Sequence, residues 1–492
     1  MSQTSKPKNV KNIIRTRFAP SPTGFLHIGG LRTAAYGYLF AKKHGKNGKF
    51  ILRIEDTDTE RKVEGAEEVI YSTLKAAGLL YDEGPDVGGK FGPYIQSQRK
   101  DSYGKYATKL IKNGGAYYCF CTKERLEELR ASGATKYDKC CLGLSKTEVA
   151  TKIKNGEPHV VRQNIALEGT TEYTDLVFGT ITIDNAELED GVLIKTDGMP
   201  TYNFANVIDD YLMGINYVLR GTEYLSSTPK YNHIYKGLGW KLPNYIHTQP
   251  IMKDSQHKLS KRDGDASFDD FVKSGYIPEA ILNYIILLGF SPKNNIEKFT
   301  LAEAIEMFNI EGLSKSPSIF DIEKLRWLNA QYIKELSAED FYNLALPHLQ
   351  NLPHVKGLDI KYLCTLLQSR CIVINDVVPL CDFLTAFDNF DLNLFVSDKW
   401  KTTIDTAKQM LPMLLAELNS VAADAPGRQN NLSETLTNFA TTHNYKKGQV
   451  LLIFRIALTG SIVTPGGATE MALLLGEKVM IDRLEKVLSR LF

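Results

Sequence analysis

Residues 13–58 run from a short β-like stretch through a tight turn and an amphipathic helix into a second apolar strand, an order that leaves few folds open. After residues 13–18 come Ala19-Pro20-Ser21-Pro22-Thr23-Gly24, where two prolines and a glycine exclude helix and regular strand. Helical spacing begins near Leu26, with Leu31, Ala34, Ala35, Tyr38 and Leu39 on one face, and Gly45 and Gly48 break it. Residues 50–54 are apolar again and end in Glu55-Asp56-Thr57-Asp58. This is a βαβ unit, the seed of a parallel nucleotide-binding sheet.

Residues 96–195 are less regular, with helical patterns at 102–112 and 123–130 and β-like runs at 159–162, 180–183 and 192–195. They read as an insertion, because sheet-like runs resume at 217–220 and 245–248 around a helix at 229–238. Beyond Phe268 every pattern is helical, including 278–288, 301–308 and 322–328. The expected architecture is α/β in front and all-α behind. At 492 residues the chain exceeds one core, and roughly three or four domains are expected.

Lys plus Arg (59) nearly balance Asp plus Glu (57), so a nucleic-acid partner would have to be met by charge segregated onto one face. No segment reaches the roughly 18 apolar residues of a membrane span. The most apolar stretch, 280–290, carries Asn283 and reads as a core helix, while the polar residues 1–12 read as a flexible tail without a signal-peptide core. Seven cysteines, four of them crowded between Cys119 and Cys141, suggest a reducing cytoplasm and one metal knuckle instead of a disulfide framework.

Two segments suit phosphate. His27-Ile28-Gly29-Gly30 opens a helix, where backbone N–H groups and the helix dipole favour anions and where side-chain-free glycines admit a flat ring; a purely structural turn would look the same. Lys258-Leu259-Ser260-Lys261-Arg262 follows a strand and, alone, would equally describe a solvated basic loop. Together, in this order and spacing, they resemble the His-Ile-Gly-His and Lys-Met-Ser-Lys-Ser signatures of class I aminoacyl-tRNA synthetases, departing from them at Gly30 and Arg262.

The stretches Arg17-Phe18-Ala19-Pro20-Ser21-Pro22-Thr23-Gly24, Arg53-Ile54-Glu55-Asp56-Thr57-Asp58, Asp197-Gly198-Met199-Pro200-Thr201-Tyr202-Asn203-Phe204-Ala205-Asn206 and Val218-Leu219-Arg220-Gly221-Thr222-Glu223 resemble bacterial-type glutamyl-tRNA synthetases. That resemblance runs from about residue 15 to the C-terminus. It implies a class I Rossmann-like α/β catalytic domain in two halves (13–95 and 197–249) with an inserted tRNA acceptor-binding domain (96–196). A signature-loop and stem-contact domain (250–333) and an all-α anticodon-binding region (334–492) would follow.

It further implies ATP as substrate with Mg²⁺, and L-glutamate and tRNA-Glu as partners of a cytoplasmic monomer without membrane attachment. Arg17 and Arg220, helped by Tyr202 and Asn206, would hold the substrate carboxylates, with Ala19 beside them and Ser21 and Glu55 at the α-amino group. His27, Gly29, Gly30, Glu223, Lys258 and Lys261 would serve ATP; His27, Lys258 and Lys261 would stabilise charge on the phosphoryl oxygens. Arg370, on an expected helix, resembles the arginine that reads the last anticodon base, although an ordinary surface arginine would look alike.

Zinc takes four ligands, usually Cys or His. Some relatives complete a Cys-x-Cys pair with Cys and His or with Tyr and Cys. Here Cys119, Cys121 and Cys141 are present, Gly143 replaces the histidine, and Tyr137 or Cys140 would complete the set; an empty site with free thiols is the alternative. A non-catalytic paralogue would be expected to lose His27, Lys261, Arg17 or Glu55, and all four are present. A glutaminyl enzyme would usually end in β-barrels, and a different nucleotidylyltransferase would not need the long helical region. Discrimination against tRNA-Gln stays open.

Overall fold

The computed structural model describes residues 13–24, 26–58, 63–259, 267–420 and 428–492, so the expected tail at 1–12 lies outside the described residues. Two compact units meet at the chain positions Lys273/Ser274, Ile277/Pro278 and Ile322/Glu323.

In the first unit β1 (Ile14–Phe18) and β2 (Gly48–Leu52) pair in parallel across α1 (Ile28–Lys42), with Ile14 opposite Gly48 and Phe18 opposite Leu52. The helix buries Leu31, Ala34, Ala35, Tyr38 and Leu39, the face its spacing marks out. It lies so close to the sheet that a Cβ on Gly48 would sit 1.7 Å from the Ala41 carbonyl oxygen, which only glycine avoids.

The chain continues through α2 (Ala66–Ala76), α3 (Lys100–Lys112), β3 (Ala116–Cys119), α4 (Lys123–Ala131), α5 (Lys146–Lys154), β4 (Val160–Gln163), β5 (Thr170–Asp175), β6 (Gly179–Asp184) and β7 (Val192–Ile194). It then forms α6 (Tyr202–Leu212), β8 (Tyr217–Gly221), α7 (Thr228–Gly237) and β9 (Asn244–Thr248). Strands β3, β4 and β7 make an antiparallel sheet, whereas the β5–β6 hairpin, also from within residues 96–196, joins β9 and β8 in the order β6-β5-β9-β8. β8 and β9 run parallel. β1 lies beside β8, since Asn216 N–H donates to the Arg15 carbonyl at 3.2 Å.

Five elements before β10 escape the sequence reading: α2, β3, α5, β5 and α6. β5 alternates exposed and buried residues, but its inward set is Thr171, Tyr173 and Asp175, so hydrophobicity does not reveal the period. α6 buries Phe204, Ala205, Val207 and Ile208 together with Asn206, Asp209 and Asp210. A core of Tyr103, Leu110, Phe204, Ile208, Tyr231 and Tyr235 packs α3, α6 and α7 against the β3–β4–β7 sheet.

After β10 (Ile251–Met252) come α8 (Phe268–Lys273), α9 (Pro278–Leu287), α10 (Leu301–Met307) and β11 (Ser318–Ile319). β11 pairs in parallel with β10, two residues of strand where helix alone was expected, too short to leave a pattern. In α9 the buried Asn283 accepts from Phe299 N–H and donates to the Glu297 carbonyl, both at 3.0 Å, so its amide costs the core little.

The second unit is helical: α11 (Ile322–Glu335), α12 (Ala338–Leu349), α13 (Ile360–Leu367), α14 (Phe383–Ala386), α15 (Ile404–Ser420), α16 (Arg428–Thr442), α17 (Lys447–Thr459), α18 (Ala468–Leu475) and α19 (Glu477–Leu491). Helix α17 is its centre, with Val450, Ile453, Phe454 and Ala457 fully buried. Among the described residues no helix is long and apolar enough to cross a membrane.

Candidate active site

The carboxyl ends of β1, β2 and β8 deliver Arg17, Arg53 and Arg220 to one place, and α6 turns Asp209 and Asp210 toward them. Asp210 accepts from Arg17 Nε at 3.0 Å and from Arg53 Nη1 at 2.7 Å. Arg53, completely buried, also donates from Nη2 to Glu55 Oε1 at 2.7 Å. Asp209 is held separately by Arg99, Gln96 and Tyr103 at 2.6, 2.9 and 2.8 Å.

Taking an ion out of water costs several kcal/mol unless it is paired, so these groups stand or fall together. Burial pushes the Asp210 carboxyl up, but Arg17 and Arg53 outweigh it and hold the group below the usual carboxylate range. Burial likewise opposes the charge on Arg53, yet Asp210 and Glu55 leave its pKa well above the ordinary value. For Glu55 burial wins over Arg53, and its pKa is raised.

Arg17 is therefore already paired: Nε faces Asp210 and Nη1 donates to the Leu219 carbonyl at 3.0 Å, so two of its three nitrogens are engaged. Arg220 differs. Its Nε donates to His247 Nε2 at 3.1 Å and its Nη2 to Thr228 Oγ1 at 2.6 Å, and among the described residues no carboxylate forms an ion pair with it. Tyr231 and Tyr245 present ring faces 4.7 and 5.2 Å from the guanidinium carbon. Tyr202, half-buried at the start of α6, senses both sides: burial raises its pKa well above the tyrosine norm, Glu55 adds to the rise and Arg220 opposes it. Asn206, one helical turn on, donates to the Tyr202 carbonyl at 2.7 Å.

In the segment expected to meet phosphate, His27 is the N-cap of α1, its Nδ1 accepting from Gly29 N–H at 3.0 Å. The neutral ring consequently carries its proton on Nε2, as a donor. A Cβ on Gly29 would press to 3.2 Å from that Nδ1, and one on Gly30 to 3.2 Å from Leu26 Cδ1. Ala19 is half-buried and Ser21 exposed in the turn before it, and the neighbouring Pro20 carbonyl accepts from Glu55 N–H at 3.0 Å. Glu223 is exposed, its carboxylate folded over Gly221, where a Cβ would meet Oε2 at 2.1 Å. Lys258 is exposed and its backbone bridges Met252; Lys261 lies outside the described residues.

Asp210 and Arg53, with Gln96 beside Glu55 and His247 beside Arg220, were not picked out by sequence reasoning. Asp209-Asp210 carried a signal, two adjacent acids closing the apolar run Phe204–Ile208. His247 carried none, standing in an ordinary strand pattern.

Away from this cluster the sulfurs of Cys119, Cys121 and Cys141 lie within 4.8 Å of one another. The buried Tyr137 hydroxyl stands 3.3 Å from Cys119 Sγ and 3.4 Å from Cys121 Sγ, whereas Cys140 is exposed. Burial pushes the Cys121 thiol up to about 12; Cys141 goes the other way, burial being outweighed by the Phe120 N–H donor and neighbouring side chains. Arg162 Nε, 3.3 Å from Cys119 Sγ, sets a positive charge beside the sulfurs.

In the second unit Arg370 is exposed and does not ride a regular helix as the sequence suggested. α13 ends at Leu367, and Gln368–Arg370 make one tight turn before an extended, buried Cys371. Its Nε donates to the Pro465 carbonyl at 3.4 Å. It lies near enough to the half-buried Arg455 to lower that group's pKa, after burial itself and against the opposing pull of Glu470.

Residues 13–327 match the family described as tRNA synthetases class I (E and Q), catalytic domain, and residues 340–488 match an anticodon binding domain. The chain belongs to the class I tRNA synthetases of the E and Q type. Within that class its similarity is to glutamate–tRNA ligases: it is 49% identical over 478 residues to one from Clostridium botulinum (strain Eklund 17B / Type B), covering 96% of this chain and 98% of the relative. The Clostridium acetobutylicum glutamate–tRNA ligase is 47% identical, with 96% and 99% covered. A crystal structure of a glutamate tRNA ligase from Elizabethkingia meningosepticum in complex with its amino acid superposes with a TM-score of 0.87 at 33% identity, covering 97% of this chain and all (100%) of that one.

Proposed function

We infer that the chain attaches L-glutamate to tRNA-Glu in two steps, first forming glutamyl-adenylate from ATP with loss of diphosphate, then transferring the glutamyl group and releasing AMP. The observation that carries the choice of amino acid is Arg220, a buried guanidinium supported by neutral acceptors and ring faces with no acid of the described residues paired to it. A planar fork left unpaired in a buried site selects a carboxylate over a neutral amide.

In this reading Arg220 and Nη2 of Arg17 hold substrate carboxylate, with Tyr202 and Asn206 shaping the pocket. Glu55, with Ser21, receives the α-ammonium; Oε1 of Glu55 is engaged by Arg53 and its charge is needed there. The substrate carboxylate attacks the α-phosphorus, so no enzyme nucleophile is required and catalysis is positioning plus charge stabilisation. His27 Nε2–H and the N-terminal backbone of α1 supply donors for the phosphates, joined by Lys258 and, from the sequence motif, Lys261. Mg²⁺ accompanying ATP supplies further neutralisation of phosphate charge. Residues 96–196 would receive the acceptor end of the tRNA and 334–492 its anticodon.

Charging assays with purified protein, ATP, labelled glutamate or glutamine, and each tRNA transcript test this directly; glutamine charged in preference to glutamate would overturn it. The same assay tests Arg370, which sits with Arg455 and the Pro465 carbonyl on one surface. Base contacts discriminate among tRNAs, whereas phosphate contacts weaken all alike. Arg370→Ala is expected to lower the ratio of kcat/KM for tRNA-Glu over tRNA-Gln by about tenfold, the effect of roughly one base contact, at fixed salt. An unchanged ratio removes Arg370 from anticodon reading.

The knuckle suits one zinc ion, since three sulfurs and a phenol oxygen gather within reach of a tetrahedral centre. Cys119, Cys121, Cys141 and Tyr137 would hold it, with Arg162 offsetting the surplus negative charge; its contribution there is structural. Elemental analysis of protein purified without chelator is expected to find about one zinc per chain, lost in Cys119→Ser. Fully active, metal-free enzyme would reduce these side chains to packing.

A further inference from the structure

We propose that Asp175 and His247 form a buried relay that positions Arg220 to read the substrate's side-chain carboxylate, His247 acting as the acceptor that fixes the guanidinium plane. The proposal rests on the reading of Arg220 given above and adds two residues that have no contact with substrate in that reading.

β5 and β9 pair in parallel at Asp175 and Tyr245, which sets the Asp175 carboxylate against the following turn of β9. Its Oδ1 accepts from Val177 N–H and Phe178 N–H, both at 2.9 Å, so that oxygen cannot rotate. Its Oδ2 accepts from His247 N–H at 3.1 Å and lies 2.7 Å from His247 Nδ1. His247 has no exposed surface, and Asp175 is 1% exposed.

An arginine Nε is always a donor, so the His247 Nε2 that faces it at 3.1 Å must be the unprotonated nitrogen. The ring proton then resides on Nδ1 and is given to Asp175. Burial, the largest influence on this ring, lowers its pKa despite Asp175, which agrees with a neutral imidazole. Thr228 Oγ1 completes the arrangement: it accepts from Arg220 Nη2 at 2.6 Å and donates to the Tyr224 carbonyl at 2.7 Å. Two acceptors thus fix two nitrogens of the fork, and among the described residues no hydrogen-bond acceptor engages Nη1. A carboxylate-to-histidine hydrogen bond that selects a tautomer is the same logic as in serine-protease triads, where replacing the aspartate by asparagine leaves the geometry intact but gives the wrong tautomer.

Simple packing and acceptor-based positioning predict opposite orders for two substitutions. Phenylalanine resembles histidine in shape but cannot accept a hydrogen bond; glutamine is a poorer shape match but can accept from Arg220 and donate to Asp175. His247→Phe is expected to raise the glutamate KM about tenfold, the loss of one hydrogen bond to a charged group, with the ATP KM unchanged. His247→Gln should stay within about threefold of wild type. If His247→Phe keeps the wild-type glutamate KM, or if both variants rise equally, the relay is overturned. Should the variants fail to fold, ¹⁵N-histidine spectra of the wild-type chain decide: the His247 ring should appear as the neutral Nδ1–H tautomer, and an Nε2–H or doubly protonated ring refutes it. Arg220→Gln separates the two levels of inference. An unchanged glutamate KM there sinks the reading of Arg220 itself, whereas a raised one combined with wild-type behaviour in His247→Phe sinks only the relay.

Discussion

Replacing Arg220 with glutamine is expected to raise the glutamate KM by about 10²- to 5 × 10³-fold while the ATP KM stays within about twofold, because a buried carboxylate deprived of its partner loses roughly 3–5 kcal/mol. The site offers little substitute. Arg17 keeps only Nη2 in reserve, since Asp210 and the Leu219 carbonyl engage its other two nitrogens. Glutamine charging should gain relative to glutamate, since the amide no longer meets an unpaired guanidinium. Steady-state kinetics at saturating ATP and tRNA measure both; an unchanged glutamate KM removes Arg220 from the pocket.

Asp210→Asn should be the most damaging change to stability. Two buried guanidinium groups share that carboxylate; without it Arg53 keeps the direct contact with Glu55, while Arg17 loses the carboxylate its Nε donates to. Breaking a buried pair from one side costs about 3–5 kcal/mol, a drop in thermal midpoint of about 5–7 °C for a unit of this size. The pH dependence has a definite sign. Asp210 is held below the usual carboxylate range, so its contribution is present above that range and is lost as pH falls through the depressed value. Melting curves of full-length wild type and variant at neutral and acidic pH should therefore converge on acidification. Equal midpoints at neutral pH would show that the cluster relaxes without its acid.

How much of this was legible depends on whether a residue advertises itself locally. The turn at Pro20–Gly24 and the helix beginning at Ile28 are written in proline, glycine and a clear apolar face, so that segment's structure was legible in the sequence. The same holds for α9 and its buried asparagine. The pairing of Arg17 with Asp210 spans 193 residues and has no local mark. Nor does the amphipathic period of β5 survive, because one of its inward residues is the Asp175 that anchors His247. Buried polar groups erase the hydrophobic contrast on which strand reading relies, and they do so at the place where chemistry concentrates. Resemblance to known motifs singled out Arg17, Glu55 and Arg220, which the structure gathers near the carboxyl ends of β1, β2 and β8. It did not supply the acids and the histidine that orient them.

The long reach of the Asp210 contacts bears on synthesis. Arg17 and Arg53 emerge early from the ribosome, and the carboxylate that makes their burial tolerable is separated from Arg53 by 157 residues. Until that acid has been translated and α6 has docked, the first parallel strand pair must keep two cations hydrated, and so cannot close as it does in the finished enzyme. The amino-terminal βαβ segment is in this sense an incomplete nucleus, whose closure over so long a loop delays folding more than it weakens the final state. A nascent chain stalled before Asp210 should expose this segment to protease or chaperone, and one stalled after β9 should not.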